Sequence, residues 1–457
     1  MFDLTNFTPW TLFSDAGIIF GLLLIGKLCR AKVKAIQSLF IPPSLIAGVL
    51  ALAFGPNGLQ WLPLTNNLGT YSSILIAVVF AALPLAAPPV KMKEIGGKLG
   101  PMWAYSQFGM FFQWALIGLI GIVFLTPVFN VAEPFGIMCP VGFYGGHGTA
   151  AAMAAEFGEG FPEPDALSLG MTSATVGVIL GVIFGVMFIK LATKKHQTNY
   201  VTDFAELPKE LRSGLIPEEK RDSLGNATVS SISIDNLALH LGIVILAAFG
   251  GYVISTAVKT QWDISVPVFL SAYIVGLLLK LALDATKASY YLEQKTISNV
   301  NGTATDLLVA CGVGAINLKV VTDNWLPLVV LIFIGIAVTV FMVFFFARHL
   351  YKEDWFEKAI FAWGWWTGTM AIGIALLRIV DPKNESHALD NYALAFLPCA
   401  PVEIILIASI PIAFKGGWLL WLCVGYLVLS LLILLLAKML GWWIPSKALK
   451  GGDVLSE

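Results

Sequence analysis

The sequence predicts an all-α integral membrane protein: two inverted five-helix repeats, each with a re-entrant hairpin, and one extra transmembrane helix at the C-terminal end. Three observations carry this. Hydrophobic residues make up 57% of the chain and charged residues 12%, with a mean hydropathy of +0.81, more apolar surface than a soluble domain can hide. Five membrane-length apolar runs precede the one long polar stretch, Lys194 to Asp235, and an odd number of crossings makes the second half enter the bilayer from the opposite face. Finally, two apolar segments are broken by glycines at matching places, since Gly145 follows Pro42 by 103 residues and Gly368 follows Pro267 by 101.

Taken in order, the apolar runs lie near residues 12–29, 39–55, 71–90, 101–126 and 166–190, then 236–258, 264–283, 300–318, 325–347, 390–413 and 417–440. Each is close to the ~20 residues that a spanning helix needs. The first run lacks the basic leader of a cleavable signal and is expected to remain as a helix. Pro42-Pro43 with Gly48 opens the second run, and Pro267 with Gly276 opens the seventh. The intervening KKH, PKELR and PEEKR clusters read as a solvated linker. This divides the chain into a first repeat (1–195, hairpin 136–160), a linker (196–235), a second repeat (236–415, hairpin 359–380), and an extra helix with its tail (416–457). With the N-terminus outside, 25 of the 28 Lys and Arg residues fall inside, leaving Lys259, Lys319 and Lys415. The positive-inside rule therefore puts the linker and the C-terminus in the cytoplasm. Trp442-Trp443 reads as an interfacial anchor.

The first interrupted segment, GIMCPVGFYGGHGTAAAMAAEFGEG (Gly136 to Gly160), surrounds an imidazole and a hydroxyl with three glycines. A broken helix leaves backbone groups unpaired, and hydrocarbon tolerates these only where protein or a wet cavity covers them. Gly145, Gly146 and Gly148 free the backbone, Thr149 is expected to cap the Ala-rich half-helix that follows, and His147 can hydrogen-bond a substrate or shuttle a proton. In the second segment, AIFAWGWWTGTMAIGIALLRIV (Ala359 to Val380), Thr367, Gly368 and Thr369 take the corresponding places. Arg378 closes it and can pair a substrate carboxylate. Paired interrupted segments of this kind point to a secondary-transporter site.

Other chemistries find little support. The five cysteines, Cys29, Cys139, Cys311, Cys399 and Cys423, are scattered singly, suggesting neither a disulfide framework nor a zinc site. No phosphate-binding loop, nucleophile–base pair or metalloprotease motif is present, so an enzyme and an organic cofactor are not expected. A formal charge of −1 gives no reason to expect nucleic acid. An ion gradient remains as the energy source. Asn301, Thr303, Thr305 and Asp306 cluster at the start of the eighth run and form the first Na⁺ candidate, because a buried carboxylate is costly unless it meets a cation. Glu403 in the tenth run is the second. Thr175, with Thr172 and Ser173, can add oxygens, and Asp284 lies nearer the interface.

These residues resemble the bacterial sodium/glutamate symporter family, most closely from GGHGTAAAMAAEFG through Phe161 to SATVGVILG (Ser173 to Gly181), more weakly at IPPSLIAGVL (Ile41 to Leu50), VPVFLSAYIVGLLL (Val266 to Leu279) and the second hairpin. The resemblance implies inverted repeats whose loops meet at mid-membrane, a homodimer in the bacterial inner membrane, and Na⁺-driven uptake of glutamate by an elevator-like movement. The chain departs from the family at Gly364-Trp365-Trp366-Thr367-Gly368, where the family reads much like G-F-G-L-G, and at its extra helix. Fold and Na⁺ coupling carry over better than glutamate itself. Another organic anion, H⁺ coupling through His147, and a passive anion channel stay open as alternatives.

Overall fold

The computed structural model describes residues 7–87, 99–200, 213–262, 266–382, 385–396 and 398–445. All regular secondary structure among its described residues is helical, and eight of those helices are long and apolar enough to cross a membrane. The basic residues Lys91, Lys93, Lys98, Lys209, Arg212, Lys383, Lys447 and Lys450, counted in the orientation above, lie outside the described residues.

Two packed bodies organise the chain. The first contains α1 (Pro9–Lys32), α2 (Pro43–Phe54), α3 (Leu68–Ala86), then α8 (Asn236–Trp262), α9 (Val268–Ala285) and α10 (Gln294–Gly314). The second contains α4 (Gly100–Ile120), α5 (Met138–Phe143), α6 (Gly146–Ala154) and α7 (Glu163–Lys194), followed by α11 (Trp325–Leu350), α12 (Trp355–Trp366), α13 (Met370–Val380), α14 (Ala388–Phe396), α15 (Cys399–Lys415) and α16 (Leu419–Met439).

The first body is held by small residues. Ala77, Ala81 and Ala82 of α3 pack with Ala247 of α8, Ala272 of α9 and Ala304 of α10. Without a hydrophobic force between helices in lipid, such side chains gain by letting backbones approach closely. Gly48 seats α2 on Ala310 and Val313 of α10, and Gly276 seats α9 on Ala81 and Pro84 of α3. Asp15, a buried carboxylate in the first crossing, accepts from the Thr65 amide at 3.0 Å, the Tyr71 hydroxyl at 2.8 Å and the Thr65 hydroxyl. It is thereby satisfied and staples α1 to the entry of α3.

The second body is larger-grained and aromatic, with Trp114, Trp363, Trp366 and Phe108 fully buried. Gly121 in a π-helical turn after α4 meets Gly136, leaving no room for a side chain on either. The extra helix α16 covers α4: Cys423 faces Gly118, Tyr426 lies 5.2 Å from Phe111, and Trp442 lies on Gly100. Trp443 stacks on His349 at 4.7 Å.

Three expected spans differ. The second is a 12-residue helix, Pro43–Phe54, ended by Gly55. The eighth begins earlier, at Gln294, and its polar first half, QKTISNVNGTATD, keeps it out of the eight apolar helices. The tenth falls into α14 and α15 on either side of Pro398, since proline supplies no amide to continue the ladder. The linker is tied to the first body, where Lys27 donates to the Gly214 carbonyl, Asn299 donates to the Leu224 carbonyl at 2.6 Å, and Lys295 pairs with Asp222. Hydrogen bonding to Lys295 holds Asp222 below the usual carboxylate range.

Candidate functional site

Both interrupted segments form helical hairpins, and each arm is too short to span a bilayer. In the first, α5 and α6 join at Tyr144–Gly145. Gly146 has φ +68°, a left-handed conformation that glycine adopts without the cost a side chain would bring. Its arms lie against the N-terminal half of α7, with Val141 and Ala150 both at Gly170, Gly142 on Ser173 and Ala174, and Phe143 on Gly177.

The second hairpin, α12 and α13, lies against the C-terminal half of the same helix. Thr367 rests on Gly177 and Gly181, Leu376 rests on Gly185, and the Trp363 indole donates to the Gly181 carbonyl at 2.8 Å. Thr369 caps α13 by accepting from the Ile372 amide. The two hairpins thus approach from opposite ends of α7, and their tips meet near its middle. A methyl group on Gly146 would stand 3.3 Å from the Gly368 carbonyl oxygen.

At this junction His147 is buried and shares a 3.2 Å hydrogen bond with the Thr175 hydroxyl. The neighbouring Ser173 hydroxyl is buried with no hydrogen-bond partner. Gly148 borders Ile76 of α3, so α6 also faces the first body. Thr149 is not the cap expected of it. The helix starts three residues earlier, at Gly146, and the Thr149 hydroxyl donates back to the Gly145 carbonyl at 2.9 Å. The Thr367 hydroxyl does the same to Trp363 at 2.7 Å.

Thr149 and Glu403 line one cavity of about 490 Å³ between α3 and α9 on one side and α14 and α15 on the other. Lys280 and Asp284, paired at 3.1 Å, lie on the α9 wall of it. Arg378 is exposed and stands ten residues beyond Gly368, about 15 Å along the helix, so it does not reach the tips. The α10 cluster is divided by helical periodicity. Thr303 and Asp306 are exposed, whereas Asn301 and Thr305 turn inward, with the Asn301 carbonyl oxygen buried and unpartnered. Thr303 and Thr305 donate to the backbone carbonyls of Asn299 and Asn301 at 2.9 and 2.8 Å, so it is the side-chain oxygen of Asn301 that is left unpartnered. Among the described residues no three His, Cys, Asp or Glu side chains form a metal-binding group.

The sequence model of the sodium/glutamate symporter matches residues 13–373, which include both hairpin tips. The chain belongs to the sodium/glutamate symporter family. It is 24% identical over 376 residues to the sodium/glutamate symporter of Escherichia coli (strain K12), covering 80% of this chain and 88% of that protein. The same figures hold for the sodium/glutamate symporter of Shigella flexneri. Family membership makes this a multi-pass membrane protein and a transporter rather than an enzyme, with Na⁺ and glutamate the pair that the family name joins.

The two tryptophans before the second tip point in different directions. Trp366 fills a slot on Gly109 of α4, and its carbonyl accepts from Gln113 at 3.1 Å. Trp365 turns the other way, 5.0 Å from Tyr144, 4.6 Å from Tyr392 and 5.4 Å from Phe396. Trp363, Gln113, Tyr144 and Tyr392 escape a reading of the sequence because each lies in an apolar run and gains its place only from a helix distant in the chain.

Proposed function

We propose that the chain carries out Na⁺-coupled symport of glutamate, or of a closely related anionic amino acid or carboxylate, across the bacterial inner membrane. The N-terminus is placed outside, and the linker and C-terminus in the cytoplasm. The meeting of Gly146 with the Gly368 carbonyl midway along α7 is the observation that carries this reading. Two helical half-spans ending there are what two re-entrant hairpins of an inverted repeat produce, and the amides at the start of α6 suit a substrate carboxylate. Gly145, Gly146, His147, Gly148 and Thr149 then form one side of the substrate site, and Thr367, Gly368 and Thr369 the other. Arg378 serves the entrance.

For Na⁺, the Thr175 hydroxyl and the Gly368 carbonyl are oxygens beside the tips. Asn301 offers the buried unpartnered carbonyl that a cation would satisfy, with Thr303, Thr305 and Asp306 on the same half of α10 at the ion's approach. The cavity between the two bodies leads to Thr149 on the expected cytoplasmic side, as alternating access by an elevator-like movement of the second body against the first requires. The homodimer and the inverted repeat are part of the same proposal.

The test is uptake of labelled L-glutamate into proteoliposomes. An inward Na⁺ gradient should drive accumulation above equilibrium, whereas K⁺ in its place should not. Flux that only follows the glutamate gradient would make the protein a channel, and accumulation driven by a pH gradient alone would transfer the coupling to H⁺.

A further inference from the structure

The cavity at Thr149 contains a carboxylate with nothing to pair it. Glu403 stands in the first turns of α15, half-buried, with no hydrogen bond or ion pair among the described residues. The ammonium group on the opposite wall, Lys280 of α9, is engaged by Asp284 at 3.1 Å. At membrane depth a lone carboxylate is stable only if it takes up a cation or a proton.

The surroundings select among these. Phe80, Tyr273 and Phe396 line the cavity. Phe396 is stacked by Tyr392 at 5.3 Å and met edge-on by Trp365 at 5.4 Å. Tyr144 and Tyr392 are buried, and their hydroxyls have no hydrogen-bond partner. Thr149, whose hydroxyl hydrogen is already donated to Gly145, offers lone pairs only. The lining sets three rings, Phe80, Tyr273 and Phe396, beside Glu403, while Asp284 is spent on Lys280 and only the Thr149 and Tyr273 hydroxyls add side-chain oxygens. A bare Na⁺ needs several oxygens at once, while an organic ammonium is satisfied by one carboxylate, an acceptor or two, and aromatic faces.

We propose that this cavity is a subsite for an organic ammonium group, with Glu403 as its counter-ion and Phe396, backed by Trp365 and Tyr392, as the aromatic wall. The inference rests on the symport reading and deepens it. A substrate whose carboxylate meets the start of α6 and whose ammonium meets Glu403 is an α-amino acid, and a plain dicarboxylate is discriminated against. Trp365 belongs to this wall.

The experiment compares L-glutamate with glutarate, which keeps both carboxylates and lacks the ammonium, by calorimetric titration of the purified full chain in Na⁺. Wild type should bind glutamate about thirtyfold or more tighter than glutarate, the range expected when one member of a desolvated charge pair is missing. Glu403→Gln should bring the two together by weakening glutamate alone. Glu403→Asp and Phe396→Leu should weaken glutamate by smaller factors and leave glutarate unchanged, which covers the case in which the first variant folds poorly. Equal loss of both ligands, or a higher Na⁺ requirement with the discrimination intact, would overturn the subsite and make Glu403 an ion ligand or a structural group. If neither ligand binds wild type, the symport reading fails on its own. The subsite is then read with n-butylammonium chloride against NaCl at equal ionic strength. A saturable change in indole emission that Glu403→Gln abolishes sustains it, and its absence in wild type refutes it.

Discussion

The two hairpins occupy matching places in the sequence and are held in different ways. The first turns its glycines outward: Gly142 meets Ser173 and Ala174 of α7, Val141 and Ala150 meet Gly170, and Gly146 faces the Gly368 carbonyl of the second tip. The second is sealed along its length, with Gly364 on Gly373 and Gly373 on the Phe361 carbonyl, and Trp366 anchors it in α4. Glycine thus does two jobs. In the first hairpin it leaves room for something to come near the backbone; in the second it lets two backbones come near each other.

The sharpest way to break this contrast is to wedge the second hairpin. A β-carbon on Gly364 would stand 2.6 Å from the Gly373 amide nitrogen, backbone that cannot swing aside. Gly364→Leu should therefore cost about 3 kcal/mol or more and leave little monodisperse protein after detergent extraction. A variant with wild-type thermal stability would mean that the arms are not in contact. Trp366→Ala, which empties the Gly109 slot, should follow at about 3–5 kcal/mol, read as a lowered midpoint of thermal unfolding.

In the first hairpin the same measurements should separate function from stability. Gly146→Val places a branched residue at positive φ and should lower stability by only about 1–2 kcal/mol, yet abolish glutamate binding by blocking approach to the backbone. Retained binding would make the hairpin a packing feature. Gly148→Ala, whose new methyl meets Ile76 at an ordinary 3.5 Å, should change stability by less than about 0.5 kcal/mol. Smallest in stability of all should be Asp306→Asn, an exposed site, whose expected effect is a higher Na⁺ concentration for half-maximal uptake. Unchanged Na⁺ dependence would remove Asp306 from the ion path.

Much of this architecture was legible in the sequence because membranes impose a strict grammar of length and polarity. Eight of the eleven expected crossings, and both interrupted segments, follow from runs of apolar residues and the glycines within them. What escaped was set by partners distant in the chain. Thr149 has the chemistry of a cap, but the left-handed Gly146 lets the helix begin earlier and turns that hydroxyl back into the first turn. Asp306 and Asn301 look like one polar cluster in a row of letters, and a helix sends them to different faces. Asp15 carried a legible signal, a carboxylate at the start of an apolar run, which gains its meaning only with Thr65 and Tyr71 beside it. The Glu403 cavity draws on five helices, and no local pattern announces it.

The glycines of α7 lead to one more consequence. Gly170 receives the first hairpin, Gly177 receives Phe143 from the first and Thr367 from the second, and Gly181 and Gly185 receive the rest of the second. Both walls of the tip junction are thus bolted to a single post, and their separation is fixed by van der Waals contact with its backbone. A displacement of this post would therefore move both walls together and leave the gap between them unchanged.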